Sequence, residues 1–144
     1  MNRYETTKEL LRGLTLNNFD CEQLAAVKAG VLRLMADGTP TVEIVADSMD
    51  MHHSKFRRRV KTVTGIAAAD YITFVRMSHA QKMLGDHPRY SVSLVAGRCG
   101  YADVAHFSHA FRRWFDCSPM QYVDAALLQP FGQKAPQVKV GDTV

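Results

Sequence analysis

Apolar residues in this chain recur at helical spacing in a series of separate stretches. Leu24, Val27, Val31, Leu34 and Met35 share one side of a helix predicted from Asp20 to Ala36. Asp37-Gly38-Thr39-Pro40 ends it. Thr41 is placed to cap a second helix whose apolar positions Val42, Val45, Ala46 and Met49 follow i, i+3, i+4, i+7. After a turn at Asp50-Met51-His52, a third helix over 53–64 buries Phe56, Val60 and Val63, and Gly65 suits its C-terminal cap. A long apolar-rich helix then runs from about Ala68 to Leu84 through Tyr71, Phe74, Val75, Met77, Ala80 and Met83, until Gly85-Asp86-His87-Pro88 stops it. Ser91 caps a helix through Val92, Val95 and Ala96, and Gly100 makes the next turn. A helix from about Asp103 to Trp114 then buries Phe107, Ala110, Phe111 and Trp114. Ser118-Pro119-Met120-Gln121 is a capping box with proline at the first helical position, opening a last helix to about Leu128.

The flanks are less regular. Gly13 and Asn17-Asn18 interrupt a short helix over Thr7–Leu14, so residues 1–19 read as an N-terminal extension. Residues 129–144, with Pro130, Gly132, Pro136 and Gly141, read as a flexible C-terminal tail. No stretch alternates as a strand does. The predicted fold is all-α with about seven helices.

Within it a pattern occurs twice. Val45-Ala46, Asp50-Met51, Phe56, Val60-Lys61 and Tyr71 are repeated as Val95-Ala96, Gly100-Tyr101, Phe107, Phe111-Arg112 and Tyr122, at an offset of 50 that becomes 51 after the turn. Each copy reads as a short helix, a sharp turn and a second helix with an outward polar stripe, a helix-turn-helix. The predicted organisation is a first unit over 20–66, a linker helix over 67–85 and a second unit over 88–128. Two such units in one small chain point to a protein that grips successive grooves of duplex DNA.

Charge sharpens this. The net charge is +4 and the isoelectric point about 9.1, a balance shared by many proteins that bind no nucleic acid. Its distribution is more telling: residues 52–61 carry five Lys or Arg and no acid, whereas the preceding helix carries Glu43, Asp47 and Asp50. With Phe56, Val60 and Val63 inward, the opposite face of that third helix shows Ser54, Arg57, Arg58 and Lys61 at i, i+3, i+4, i+7. Arginine forks onto guanine O6 and N7, so Arg57 and Arg58 are the candidate base readers. His53 and Ser54 lie at the end of the helix that leads into the groove, and Lys55, Arg59 and Lys61 are candidate phosphate contacts. The equivalent second stripe is Val104, Ala105, Ser108, His109 and Arg112, less basic, with Val104 or Ala105 suited to a thymine methyl and Ser108 and His109 to hydrogen bonds.

Other chemistry finds little support. His106 and His109 are spaced for a metal on a helix but lack a third ligand, so no metal or cofactor is expected. Cys21, Cys99 and Cys117 form no C-x-x-C pair, Cys99 reads as a buried apolar filler and Cys117 has no identifiable base; no catalytic residue is assigned and the chain does not read as an enzyme. The odd cysteine count, the absence of a long apolar leader and the lack of any run of ~18 apolar residues point to a cytoplasmic, nucleoid-associated protein without a membrane partner.

Taken together, these residues resemble the tandem helix-turn-helix, homeodomain-like DNA-binding domain of the AraC/XylS family of bacterial transcription regulators. The similarity spans roughly residues 22–122. It is strongest in Gly100-Tyr101-Ala102-Asp103, Phe107-Ser108, Phe111-Arg112-Arg113-Trp114-Phe115 and Ser118-Pro119-Met120-Gln121-Tyr122, with Tyr71-Ile72, Arg76-Met77, Ala80 and Leu84 in the linker helix. The resemblance implies two recognition helices in successive major grooves about 34 Å apart, with one chain reading an asymmetric double-stranded promoter or operator site as a monomer. RNA polymerase is a further candidate partner. Four positions depart from the family pattern: Asp50 for a turn glycine, His52 for a serine cap, Ala67-Ala68 for Ser-Pro, and His109 for a frequent arginine. These departures keep open an alternative, a protein-interaction co-regulator that retains the fold without specific DNA reading. Residues 1–19 are too few for a sensor domain, so the expectation is a stand-alone DNA-binding domain or the output part of something longer.

Overall fold

The computed structural model describes residues 1–128, and those residues contain eight helices and no strand. They are α1 (Arg3–Arg12), α2 (Asn18–Leu34), α3 (Val42–Ser48), α4 (His53–Thr64), α5 (Ala68–Asp86), α6 (Val92–Arg98), α7 (Val104–Phe115) and α8 (Pro119–Leu127). The tail expected over 129–144 lies outside the described residues.

Caps fix most of these boundaries. The side chains of Thr41, Ser91 and Ser118 accept the Ile44, Leu94 and Gln121 N–H groups, and Gln121 Oε1 in turn accepts the Ser118 N–H, completing the capping box. Gly65 closes α4 in the left-handed conformation at φ 77°. The N-terminal region departs from expectation. Asn17, read from sequence as a breaker, is a cap: its Oδ1 accepts the Asp20 N–H at 2.8 Å, so α2 starts at Asn18. Asn2 likewise accepts the Glu5 N–H at 2.8 Å and starts a helix at Arg3, four residues ahead of the predicted Thr7. Asparagine serves both breaking and capping by the same side-chain-to-backbone bond, and only the register of the following residues separates them.

Two cores form, and α5 belongs to both. Val27, Val31, Val42, Val45, Ala46, Phe56 and Val60 pack with Ala68, Tyr71, Ile72 and Val75 of α5. Val95, Ala96, Phe107, Phe111, Trp114, Phe115, Tyr122 and Val123 pack with Met77, Ala80 and Leu84 further along the same helix. Phe74 touches both. A helix that feeds cores at both ends is apolar around much of its circumference, which is why α5 reads as hydrophobic rather than striped.

The first helix joins the last core. Tyr4 is 5% exposed; its ring stacks on Phe74 at 5.0 Å and lies 4.8 Å from Phe115. Its hydroxyl accepts from Ser78 Oγ at 3.0 Å. Arg3 lies over Trp114 at 4.6 Å and pairs with Asp70 at 3.1 Å. Residues 3–12, read from sequence as part of an N-terminal extension, form a helix packed on α5 and α7.

Candidate nucleic-acid interface

Each outward stripe depends on a tight turn and an apolar anchor. In the first unit Asp50 takes φ 56°, the left-handed region that aspartate tolerates better than most residues. The Met51 N–H donates to the Ala46 carbonyl at 3.0 Å and closes the turn. His52 then caps α4: its Nδ1 accepts the Ser54 N–H at 3.2 Å, and its ring stacks on His53 with centroids 4.3 Å apart. The position where the resemblance implies a serine cap is thus capped by an imidazole. His52→Ala should cost about 1 kcal/mol of stability, read as a lower melting temperature; an unchanged melting temperature would mean that water serves Ser54 equally well.

Phe56, Val60 and Val63 turn inward and leave Ser54, Lys55, Arg57, Arg58 and Lys61 exposed, with His53 beside them. Arg57 donates from Nη2 to Glu43 Oε1 of α3 at 2.9 Å, both side chains being about half exposed. The Glu43 carboxyl is held below its ordinary range by its own backbone N–H and then by Arg57 and His53. Lys61 donates to the Gly65 carbonyl at 3.0 Å. Arg58 makes no side-chain hydrogen bond or ion pair among the described residues and projects beside Arg57, Lys61, Thr62, Ala67 and Ala68 on a shallow concave surface. Thr62 was missed in the sequence reading, although it lies four residues beyond Arg58 on the same face.

Arg59 departs from the expected phosphate set. It points back to α2, where its Nε donates to Gln23 Oε1 at 2.6 Å and its Nη2 to Asp20 Oδ1, while its guanidinium lies over Phe19 at 5.3 Å. Arg57, Arg58 and Arg59 are adjacent in sequence, but 100° per residue sends the third around the helix toward α2. Charge counting alone cannot separate them.

In the second unit Gly100 makes the turn at φ 82°, and the Tyr101 N–H donates to the Ala96 carbonyl at 2.9 Å. Asp103 Oδ1 accepts the Ala105 N–H at 2.7 Å and starts α7. Phe107, Phe111, Trp114 and Phe115 are buried, which turns Val104, Ala105, His109 and Arg112 outward and leaves Ser108 half-buried. His106 is exposed beside them. The two stripes share a scaffold and differ in charge: α4 presents arginines and lysine, α7 small and neutral groups with Arg112.

Among the described residues no group of three His, Cys, Asp or Glu is placed to hold a metal. Burial pushes the Cys99 thiol up to about 12 and the Cys117 thiol up to about 11, keeping both as thiols. Among the described residues no helix is long and apolar enough to cross a membrane.

A family model described as a helix-turn-helix domain matches residues 45–125. The chain is 38% identical over 77 residues to the HTH-type transcriptional activator RhaS of Citrobacter koseri and 36% identical over the same length to RhaS of Escherichia coli K12. Each match covers 54% of this chain and 27% of the relative, so the chain spans about a quarter of the length of these activators. Among solved structures, the DNA-binding domain of AdpA, a global transcriptional factor in complex with a target DNA, is similar with a TM-score of 0.61 and 34% identity, over 71% of this chain and 90% of that one. The C-terminal domain of AraT, a response regulator from Geobacillus stearothermophilus, is similar in fold with a TM-score of 0.66 and 23% identity, over 76% and 90% of the two chains.

Proposed function

The chain belongs to the AraC-type helix-turn-helix family of DNA-binding transcription regulators, and from that premise we propose that it reads a specific double-stranded DNA site by placing α4 and α7 in successive major grooves. The observation that carries this is the α4 face, where Ser54, Arg57, Arg58 and Lys61 stand exposed on the second helix of a capped helix-turn-helix. Arg58, without an internal partner, is the principal base reader; Arg57, oriented by Glu43, is the second. His53, Ser54, Lys55 and Lys61 meet the adjoining phosphates and base edges. Val104 and Ala105 contact apolar base edges, Ser108 and His109 offer hydrogen bonds, and Arg112 meets phosphate, so α7 contributes docking more than discrimination. One chain supplies both helices, and the protein binds as a monomer.

Selection of bound duplexes from a randomised library, followed by titration across salt concentrations, tests this reading. The expected outcome is one enriched asymmetric site with steeply salt-dependent affinity. Enrichment of nothing, with affinity equal on all sequences, would overturn it and favour a co-regulator that binds protein instead. Sedimentation of the complex at one protein per duplex supports the monomer.

Arg59 supplies a sharper check. Tied to Asp20 and Gln23, it stabilises the α2–α4 contact and contributes no phosphate contact. Arg59→Ala is expected to lose about 1–2 kcal/mol of stability, the range of a partly exposed charge-assisted bond, and to leave the slope of affinity against salt unchanged. A flattened slope would return Arg59 to the phosphate-binding set.

A further inference from the structure

The two helix-turn-helix turns occupy equivalent places in the repeat and face different surroundings. Asp50 is exposed, whereas Gly100 is buried against the first unit. A Cβ on Gly100 would lie 2.6 Å from the Gly38 carbonyl oxygen, 3.0 Å from Pro40 Cδ and 3.1 Å from Met35 Cβ. Positive φ therefore accounts for only half of the requirement for glycine here; the other half is the loop joining α2 to α3, which leaves no room for a side chain.

Polar contacts lock the same junction. The Thr39 hydroxyl, on that loop, donates to the Gly100 carbonyl at 2.7 Å. Arg76, midway along α5 and 6% exposed, donates from Nε to the Cys99 carbonyl at 2.8 Å. Its guanidinium lies over the Tyr101 ring at 3.8 Å, close enough for a cation–π contact. Burial lowers the Arg76 pKa, and among the described residues the side chain pairs with no carboxylate; its partners are a carbonyl and an aromatic face. Cys99, Gly100 and Tyr101 are thus held by groups outside the second unit's own helices. Only Ala102 and the cap Asp103 separate them from α7, so fixing them fixes where α7 begins relative to α3 and α4.

We infer that Thr39 and Arg76 are positioning residues that clamp the second turn onto the first unit, set one separation and angle between α4 and α7, and so make the protein selective for one spacing between its two half-sites. The spacing part rests on the DNA reading proposed above; the clamp itself is a property of the free protein. In a Cys21→Ser background, in which the remaining cysteines are buried, spin labels at the exposed positions Ala25→Cys on α2 and Met120→Cys on α8 report the distance between the units without touching the proposed DNA surface. The parent protein should give one narrow distance distribution. Thr39→Val, which keeps the side-chain shape and loses the hydroxyl, and Arg76→Gln should broaden it. Val27→Ala, which weakens the first core away from the clamp, should leave it narrow, separating lost stability from lost positioning.

On DNA, the probes are the duplex that the parent protein selects from a randomised library and copies with one or two base pairs inserted or removed between its half-sites. The parent should prefer the selected spacing, and Thr39→Val should reduce that preference roughly fivefold, the share of one neutral hydrogen bond. Distance distributions that stay narrow in both clamp variants would overturn the clamp. Broadened distances with an unchanged spacing preference would overturn its role in selectivity. Recovery of no duplex would defeat the DNA reading, while the distance measurement still decides the clamp.

Discussion

Replacing Arg58 with alanine is expected to weaken binding to the selected duplex by about 1–3 kcal/mol, roughly 5- to 150-fold, and to relax base preference at one position of the site. The reasoning is local. Arg57 already donates to Glu43, Arg59 is turned to Asp20 and Gln23, and Lys61 reaches the Gly65 carbonyl. Arg58 alone of the three arginines brings a guanidinium without an internal partner among the described residues to the exposed α4 face. Its removal leaves a base edge unpaired in the complex and costs the free protein little, so the loss appears in binding and hardly in the melting temperature. Affinity measured on the selected duplex and on an unrelated one, at one salt concentration, distinguishes the roles. An equal loss on both would reduce Arg58 to a phosphate contact.

The largest effect on stability is expected at the other end of the chain. Tyr4→Ala removes a ring that is 5% exposed, stacked on Phe74 and packed on Phe115, together with the acceptor of the Ser78 hydroxyl. Truncation of a buried aromatic costs about 3–4 kcal/mol, equivalent to a melting temperature lower by about 10 °C in a domain of this size. The damage falls on the α5–α7 side, because Phe74 joins both cores while Phe115 belongs to the second. Thermal melts and amide exchange of α7 check this. Full stability in the variant would show α1 to be dispensable and return residues 1–12 to the status of an extension. The same substitution is expected to weaken DNA binding at temperatures near the melt and to leave it unchanged well below, since Tyr4 faces away from the outward stripes.

Much of this architecture was legible in the residues. Capping side chains and apolar spacing placed α3, α4, α6, α7 and α8 to within a residue or two, because each of those helices is short, striped and started by a residue whose side chain reaches the backbone. The repeat was legible for the same reason: Val45 and Val95, Ala46 and Ala96, Phe56 and Phe107, Val60 and Phe111 fill equivalent core places, and all are buried. The α4 stripe was legible wherever periodicity decides orientation, as at Ser54, Arg57, Arg58 and Lys61. Helix α1 was not. Tyr4 and Leu11 are the apolar residues it contributes to packing, too few to show a period, and its start depends on Asn2, whose capping bond sequence spacing did not reveal.

Sequence by itself determined most of the local events: where the helices from α3 onward begin and end, which face of each is apolar, and that a helix-turn-helix occurs twice. Those follow from bonds and contacts within a few residues, and such interactions are encoded by spacing. Tertiary structure alone decided the relations between distant segments. It placed residues 3–12 against α5 and α7, turned Arg59 from solvent to α2, joined Arg57 to Glu43, and set Gly100 under the Gly38 carbonyl and the Thr39 hydroxyl. Asp50 and Gly100 hold the same place in two copies of one pattern, and what separates them is neither propensity nor φ. One turn looks into water and the other into a neighbouring unit, a difference that exists only once the two cores have closed on the shared helix α5.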